Sequence, residues 1–391
     1  MKHWGKRIGC MGMVFVFVLS MCGCAKKPKT YFQEVWRADT HFSEIVYEHY
    51  EREQFMPYIE AIYEMAENGG TREAFAETDD DLWAELEYVC TLVQLADLQA
   101  MKDPATEVYA EEYIYITELY QELYDEFFLA LHEMSISPNS RLMTTQYSAD
   151  YISWFKEYEP YTKDENDVLG YDRETALIQE YYELMAAEEP DEERIGEIFV
   201  ELIALRNDQA ELMGYESYGE YAYQNLYGRD YLPKDVEKIW EGVKANFVPL
   251  YCQYRDRANE QTEWLLNATE LSFTSEAVLK AIEQPIKKMS EELYTAFAYM
   301  LKNELYDIRY DEKKAEIGYT LRLYSYNQPY IFNYAYNDFY DYLSVIHEFG
   351  HFANGFYTTG DFLFGISDMD ICELQSQGLE LLMIHDYGKI F

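Results

Sequence analysis

The sequence predicts a mainly α, multi-helix, two-lobed protein with one small β-hairpin. Apolar residues recur at helical spacing along most of the chain, breaks containing Pro or Gly separate the helical stretches, and only two short segments alternate as strands do. A chain of 391 residues is long enough for two or three domain-sized lobes. Hydrophobic residues at 49% and aromatics at 17% exclude a disordered chain. The 40 tyrosines suit amphipathic helix faces, because each ring offers a flat apolar body and a polar tip.

In chain order, residues 1–23 read as a leader rather than as structure. Lys2, Lys6 and Arg7 precede an apolar run from Ile8 to Leu19, which is too short to span a bilayer. Met21-Cys22-Gly23-Cys24 follows, and the whole resembles a bacterial lipoprotein signal peptide. The small Gly23 before Cys24 makes Cys24 the expected lipidation site, since Cys22 follows the bulky Met21. That places the protein in the bacterial cell envelope, anchored to the membrane by lipid and facing outside the cytoplasm. Residues 24–39, with Lys26, Lys27 and Lys29, then form a short tether.

An N-terminal helical region is expected over 40–195, with helices at 40–67, 72–102, 106–134, 143–158 and 173–187. Its breaks fall at Asp103-Pro104, Ser137-Pro138-Asn139-Ser140 and from Glu159-Pro160 to Gly170. A second region, 196–391, takes up a helix at 191–213 and continues with helices at 216–226, 234–262, 274–305, 338–356 and 368–386. Its strands are Glu316–Tyr324 and Pro329–Tyr334, a hairpin or sheet edge. Cys90, Cys252 and Cys372 are odd in number and widely spread, so they are small hydrophobes rather than a disulfide framework. The net charge of −42 repels phosphates and excludes nucleic acid as a partner. It reads as a solvated exterior, and it would also favour cationic peptides.

The chemistry is concentrated in His347-Glu348-Phe349-Gly350-His351, an HExxH motif. Side chains four apart stack on one helix face, so both imidazoles reach one metal ion while Glu348 flanks it. Asn337 and Asp338 offer an N-cap to a run, 339–353, that is apolar on nearly all sides and is therefore a buried helix. Buried polar side chains need partners, and a metal would satisfy these together. The third ligand is expected at Glu373, 22 residues after His351, among Ile371, Cys372 and Leu374, in the second turn of a helix opening near Ser367. Asp368, Asp370 and Glu380 are the competing acids. Glu380, seven residues on and on the same face, is the expected partner of a ligand histidine. Two histidines and a carboxylate make the donor set of a catalytic Zn2+ site, one ion per chain, with a position left for water.

These segments resemble the thimet oligopeptidase and oligoendopeptidase F family of zinc metallopeptidases. The resemblance rests on Gln328–Tyr334, Asp341-Tyr342-Leu343, HEFGH and Glu373-Leu374-Gln375-Ser376-Gln377-Gly378-Leu379-Glu380, with an upstream arginine helix at Leu205–Tyr215. It implies that Glu348 is the general base, that His347, His351 and Glu373 bind zinc, and that short peptides are the substrates. An edge strand beside the site would hydrogen-bond an extended peptide. Asn354 stands where the family usually has a further histidine. The family's members also continue further, through a Tyr- and His-containing segment that binds the scissile carbonyl. The resemblance therefore implies an incomplete catalytic region that binds zinc and cleaves poorly alone. Two alternatives remain open: a membrane-tethered, non-catalytic peptide-binding lipoprotein, and a metal hydrolase of another bond.

Overall fold

The structure, a computed structural model, describes residues 35–158, 169–185, 190–258, 274–358 and 369–390. The expected leader, Cys24, Ser367 and Asp368 lie outside these residues. Two compact units form. One holds the described residues of Thr30–Pro160, Thr262–Gly365 and Cys372–Phe391; the other holds those of Tyr161–Gln261 and Ile366–Ile371. No helix among the described residues is long and apolar enough to cross a membrane.

The first unit begins with three helices, α1 (Arg52–Asn68), α2 (Arg72–Lys102) and α3 (Glu107–Ile136). Each buries a stripe at helical spacing: Phe55, Ile59 and Ile62 on α1, Leu82, Leu86 and Val89 on α2, Ile116, Leu119, Leu123 and Phe127 on α3. Thr71 caps α2 by accepting the Ala74 N–H at 3.1 Å, and Asp103 ends it before Pro104. A 3-10 turn, Ser140–Thr145, precedes the short α4 (Ala149–Glu157), which closes this core with Ile152 and Phe155.

The helix expected over 40–67 starts only at Arg52. Before it the chain runs extended, apart from a 3-10 turn at Phe42–Glu44. Tertiary hydrogen bonds override helical spacing there: Ala38 N–H to Tyr326 O at 2.9 Å, Phe42 N–H to Asn303 O at 2.8 Å, and Gln328 Nε2 to Thr40 O at 2.9 Å. The stretch 274–305 also divides, into α10 (Ser275–Met289) and α11 (Glu291–Lys302). Ser290, at φ −158°, ends one helix and caps the next by accepting the Leu293 N–H at 3.2 Å. Of the cysteines among the described residues, Cys90 is buried, while Cys252 and Cys372 are half-buried.

The second unit carries α5 (Tyr171–Met185), α6 (Glu192–Leu212), α7 (Tyr218–Asn225), α8 (Pro233–Gly242) and α9 (Val248–Ala258). The expected helix 234–262 is interrupted by a π turn at Val243–Phe247. Charged pairs join α5 to α6: Arg194 to Glu180 at 2.6 and 2.8 Å, and Arg206 to Glu174 at 2.7 Å. The arginine helix ends as expected, with Gly214 at φ +89° and Tyr215 N–H returning to Ala210 O at 2.9 Å.

The sheet of the first unit has order β1-β3-β2. β2 (Gly318–Leu323) and β3 (Gln328–Asn333) form the expected antiparallel hairpin, in register from Gly318↔Asn333 to Leu323↔Gln328. Asn327 makes the turn at φ +49°. The sequence did not show β1 (Tyr306–Asp307), which pairs parallel to β3 and is only two residues long. β3 is buried throughout and β2 is an edge. Against the sheet lies α12 (Tyr340–Tyr357), with Val345, Ile346, Phe349, Phe352 and Phe356 in a core shared with α10, α11 and β3.

Polar groups fix both ends of α12. Asp338 accepts the Tyr340 N–H at 2.8 Å, as its capping role required. At the other end Arg37 donates to Phe356 O at 2.5 Å, and Arg322 donates to Gly355 O and Thr358 O at 2.8 and 2.9 Å. Cations suit the negative end of a helix. The last elements are α13 (Met369–Cys372) and α14 (Leu374–Ile390).

One buried acid in the first core sets a pH dependence. Asp79, 2% exposed, accepts a hydrogen bond from Tyr147 Oη at 2.7 Å, and burial pushes its carboxyl up to about 7. The folded chain thus holds this proton more tightly than the unfolded chain, so the carboxyl costs stability increasingly as pH rises from about 4, where an unfolded Asp titrates, to about 7. Asp79→Asn should raise stability at pH 8, by at most about 4 kcal/mol, and change it little at pH 4. Urea midpoints at the two pH values check this; equal shifts at both would show that the carboxylate carries no burial penalty.

Candidate metal centre

Two turns of α12 and the start of α14 build the site. His347 and His351 project from one face of α12, with ring centroids 4.9 Å apart. Glu373 lies between α13 and α14 rather than in the second turn of one helix; its carbonyl accepts the Gln377 N–H at 3.0 Å and so opens α14. A carboxylate there also meets the positive end of that helix.

The three side chains converge. His347 Nε2 and His351 Nε2 are 3.2 Å apart, and Glu373 Oε2 lies 3.2 Å from the first and 3.6 Å from the second. Ligands about 2.0–2.1 Å from a tetrahedral zinc stand about 3.3–3.4 Å from one another, which is the triangle found here. Proton placement points the same way. Glu380 Oε1 lies 2.6 Å from His347 Nδ1, which sets the proton on that nitrogen and leaves Nε2 with its lone pair. On the other ring, Gln375 Nε2 lies 3.5 Å from His351 Nδ1. Lone pairs and a carboxylate oxygen facing one another this closely repel, and a cation relieves that. His347, His351 and Glu373 form the one such group of three donors among the described residues. Burial also pulls the His351 ring below its usual range, favouring the neutral, ligating form.

Glu348 stays out of the triangle. It is 6% exposed and its Oε2 accepts a hydrogen bond from Thr320 Oγ1 at 2.7 Å. Burial raises its carboxyl above the usual range; the Thr320 bond and His347 oppose this, and Glu373 adds to it. Of the competing acids, Asp370 is held instead by Arg229, at 2.7 Å for the shortest contact, and by Tyr231. Arg229 is itself stacked on Tyr223, 4.3 Å from the ring centre.

Three contacts escaped the sequence reading. Ser376 is fully buried and donates to Glu373 Oε2 at 2.7 Å. Its position three residues after Glu373 was the available signal. Thr320 reaches Glu348 from β2, 28 residues upstream, with only strand alternation to suggest it. Gly350 is where α14 comes closest: a Cβ there would stand 2.6 Å from Ser376 Cα and 2.8 Å from Gln375 O. A cavity of about 370 Å³ opens beside His347 and Glu380, lined also by Leu343, Leu381 and Ile384.

No family model and no curated protein sequence matches the chain significantly. Solved structures do. PZ peptidase A with an inhibitor aligns at 20% identity and TM-score 0.67, over 89% of this chain and 72% of that one. A Bacillus anthracis protein assigned as an oligoendopeptidase F aligns at 19% identity and TM-score 0.68, over 90% and 74%. A further structure assigned as oligoendopeptidase F gives 20% identity, TM-score 0.66, and 90% and 72%. The chain therefore shares the mainly α fold of these structures. More narrowly, it is the fold of the oligoendopeptidase F and PZ peptidase structures, as its motifs implied.

Proposed function

We propose that this protein is a zinc-dependent peptidase that hydrolyses short peptides, held at the outer side of a bacterial membrane by a lipid on Cys24. The observation that carries the reading is the triangle of His347, His351 and Glu373, at tetrahedral ligand spacing, on a fold shared with peptidases. Zinc held there would polarise a peptide carbonyl and acidify a water to a pKa of about 7. Glu348 takes the proton from the attacking water and delivers it to the departing amine. Glu380 holds the His347 ring in its ligating tautomer, and Ser376 holds Glu373.

The edge strand supplies a substrate track. Tyr334 N–H bonds Ile317 O, so ladder alternation turns the backbone groups of Gly318, Thr320 and Arg322 away from β3. An extended peptide can pair with that edge. The test, on the product of the complete reading frame, is metal content together with turnover of an internally quenched short peptide. One zinc per chain is expected, with hydrolysis abolished by a chelator and restored by added zinc. Zinc without hydrolysis would favour the peptide-binding lipoprotein, and hydrolysis of esters alone would favour the other metal hydrolase. Absence of bound zinc would remove the metal site.

A further inference from the structure

We propose that Thr320 is a positioning residue for the base: its hydroxyl holds Glu348 Oε2 and leaves Oε1 as the proton acceptor. This rests on the peptidase reading above. The hydroxyl has one proton and two acceptors in reach, Glu348 Oε2 at 2.7 Å and Glu348 O at 3.1 Å. The carboxylate wins, because the bond to it is shorter and charge-assisted, and the carbonyl already accepts within α12. Glu348 is 6% exposed, so water cannot take over this role freely. Thr320 is itself well held: it is β-branched, with a stiff χ1, and its backbone is clamped in register opposite Ile331.

The same residue joins two parts of the site. Its side chain faces α12 while its N–H and C=O face the side of β2 that pairs with no strand among the described residues. A peptide backbone paired at Thr320 would therefore be placed in register with the base. Glu348 alone among the site acids has a partner on the edge strand; Glu373 is held by Ser376 of α14, and Glu380 faces His347.

The experiment compares wild type, Thr320→Val and Thr320→Ser as zinc-loaded full-length proteins, by kinetics and by crystal structures. Val keeps the shape and removes the donor; Ser keeps the donor. Thr320→Val should lower kcat about tenfold to hundredfold, part of what a positioned base contributes, with KM changed less than about twofold. One zinc should remain in all three, the Glu348 carboxylate should be turned in Val, and Ser should restore both rate and orientation. Wild-type kcat in Thr320→Val, or loss of rate in Ser equal to that in Val, would overturn the proposal. If wild type itself does not hydrolyse peptides, the peptidase reading falls. Thr320 is then judged by the crystals: a turned carboxylate in Val that Ser restores sustains the positioning role, and an unchanged one ends it.

Discussion

Glu348→Gln should reduce kcat by about 10²–10⁴-fold, the usual worth of a positioned general base, while one zinc per chain stays bound. The separation of the two effects follows from the geometry. On the proposed reading zinc is held by His347, His351 and Glu373, whose donor atoms already stand 3.2–3.6 Å apart without Glu348. Glutamine has the same shape, and its amide oxygen can still accept the Thr320 hydroxyl, so neither packing nor that hydrogen bond is lost. What disappears is the basic oxygen. Glu348 is 6% exposed, which leaves little room for a water to substitute as base. Steady-state kinetics with metal analysis on the same samples decides the matter. Loss of zinc alongside activity would move Glu348 into the ligand set, and an undiminished kcat would mean that another group takes the proton.

That HEFGH stood out in the sequence as the candidate site has a simple reason. HEFGH is local, and a helix fixes the relation of residues four apart without any tertiary information. The same holds for α2 and α3, whose apolar stripes are long and whose ends carry Thr71, Asp103 and Pro104. Where long-range contacts decide, the reading failed. Residues 40–51 have helical spacing but, apart from the 3-10 turn, run extended, because Thr40 O bonds Gln328 and Phe42 N–H bonds Asn303. Ser290 divides one apparent helix because a serine that reads as neutral within a helix is a strong cap at its start. At the site, Glu373 was singled out by its apolar neighbours, but its place between two helices was not visible. Thr320 and Ser376 are ordinary in sequence: the approach of β2 to α12 gives Thr320 its acidic partner, while Ser376 meets Glu373 three residues before it.

The approach of α14 rests on Gly350, and Gly350→Ala should cost both stability and zinc. In the middle of a helix, Ala for Gly ordinarily gains about 0.5–1 kcal/mol. Here the new Cβ would meet Ser376 Cα at 2.6 Å, Gln375 O at 2.8 Å and Ser376 N at 3.0 Å, all of them backbone. Backbone cannot rotate aside as a side-chain tip can, so α14 must shift. Overpacking of this kind costs about 1–3 kcal/mol or more, which exceeds the helix gain. The shift acts on the very segment that carries Glu373, Gln375, Ser376 and Glu380. Ligand triangles tolerate little displacement, and zinc affinity should fall at least about 10–100-fold, the usual cost of losing a supporting contact alone. Gly378, also on α14, is the control: nothing lies within 4 Å of its added Cβ, so Gly378→Ala should stabilise the helix by about 0.5–1 kcal/mol and leave zinc affinity unchanged. Thermal midpoints and zinc dissociation constants for both variants make the comparison. If Gly350→Ala behaved like Gly378→Ala in both, close contact between α12 and α14 would not be what assembles the site.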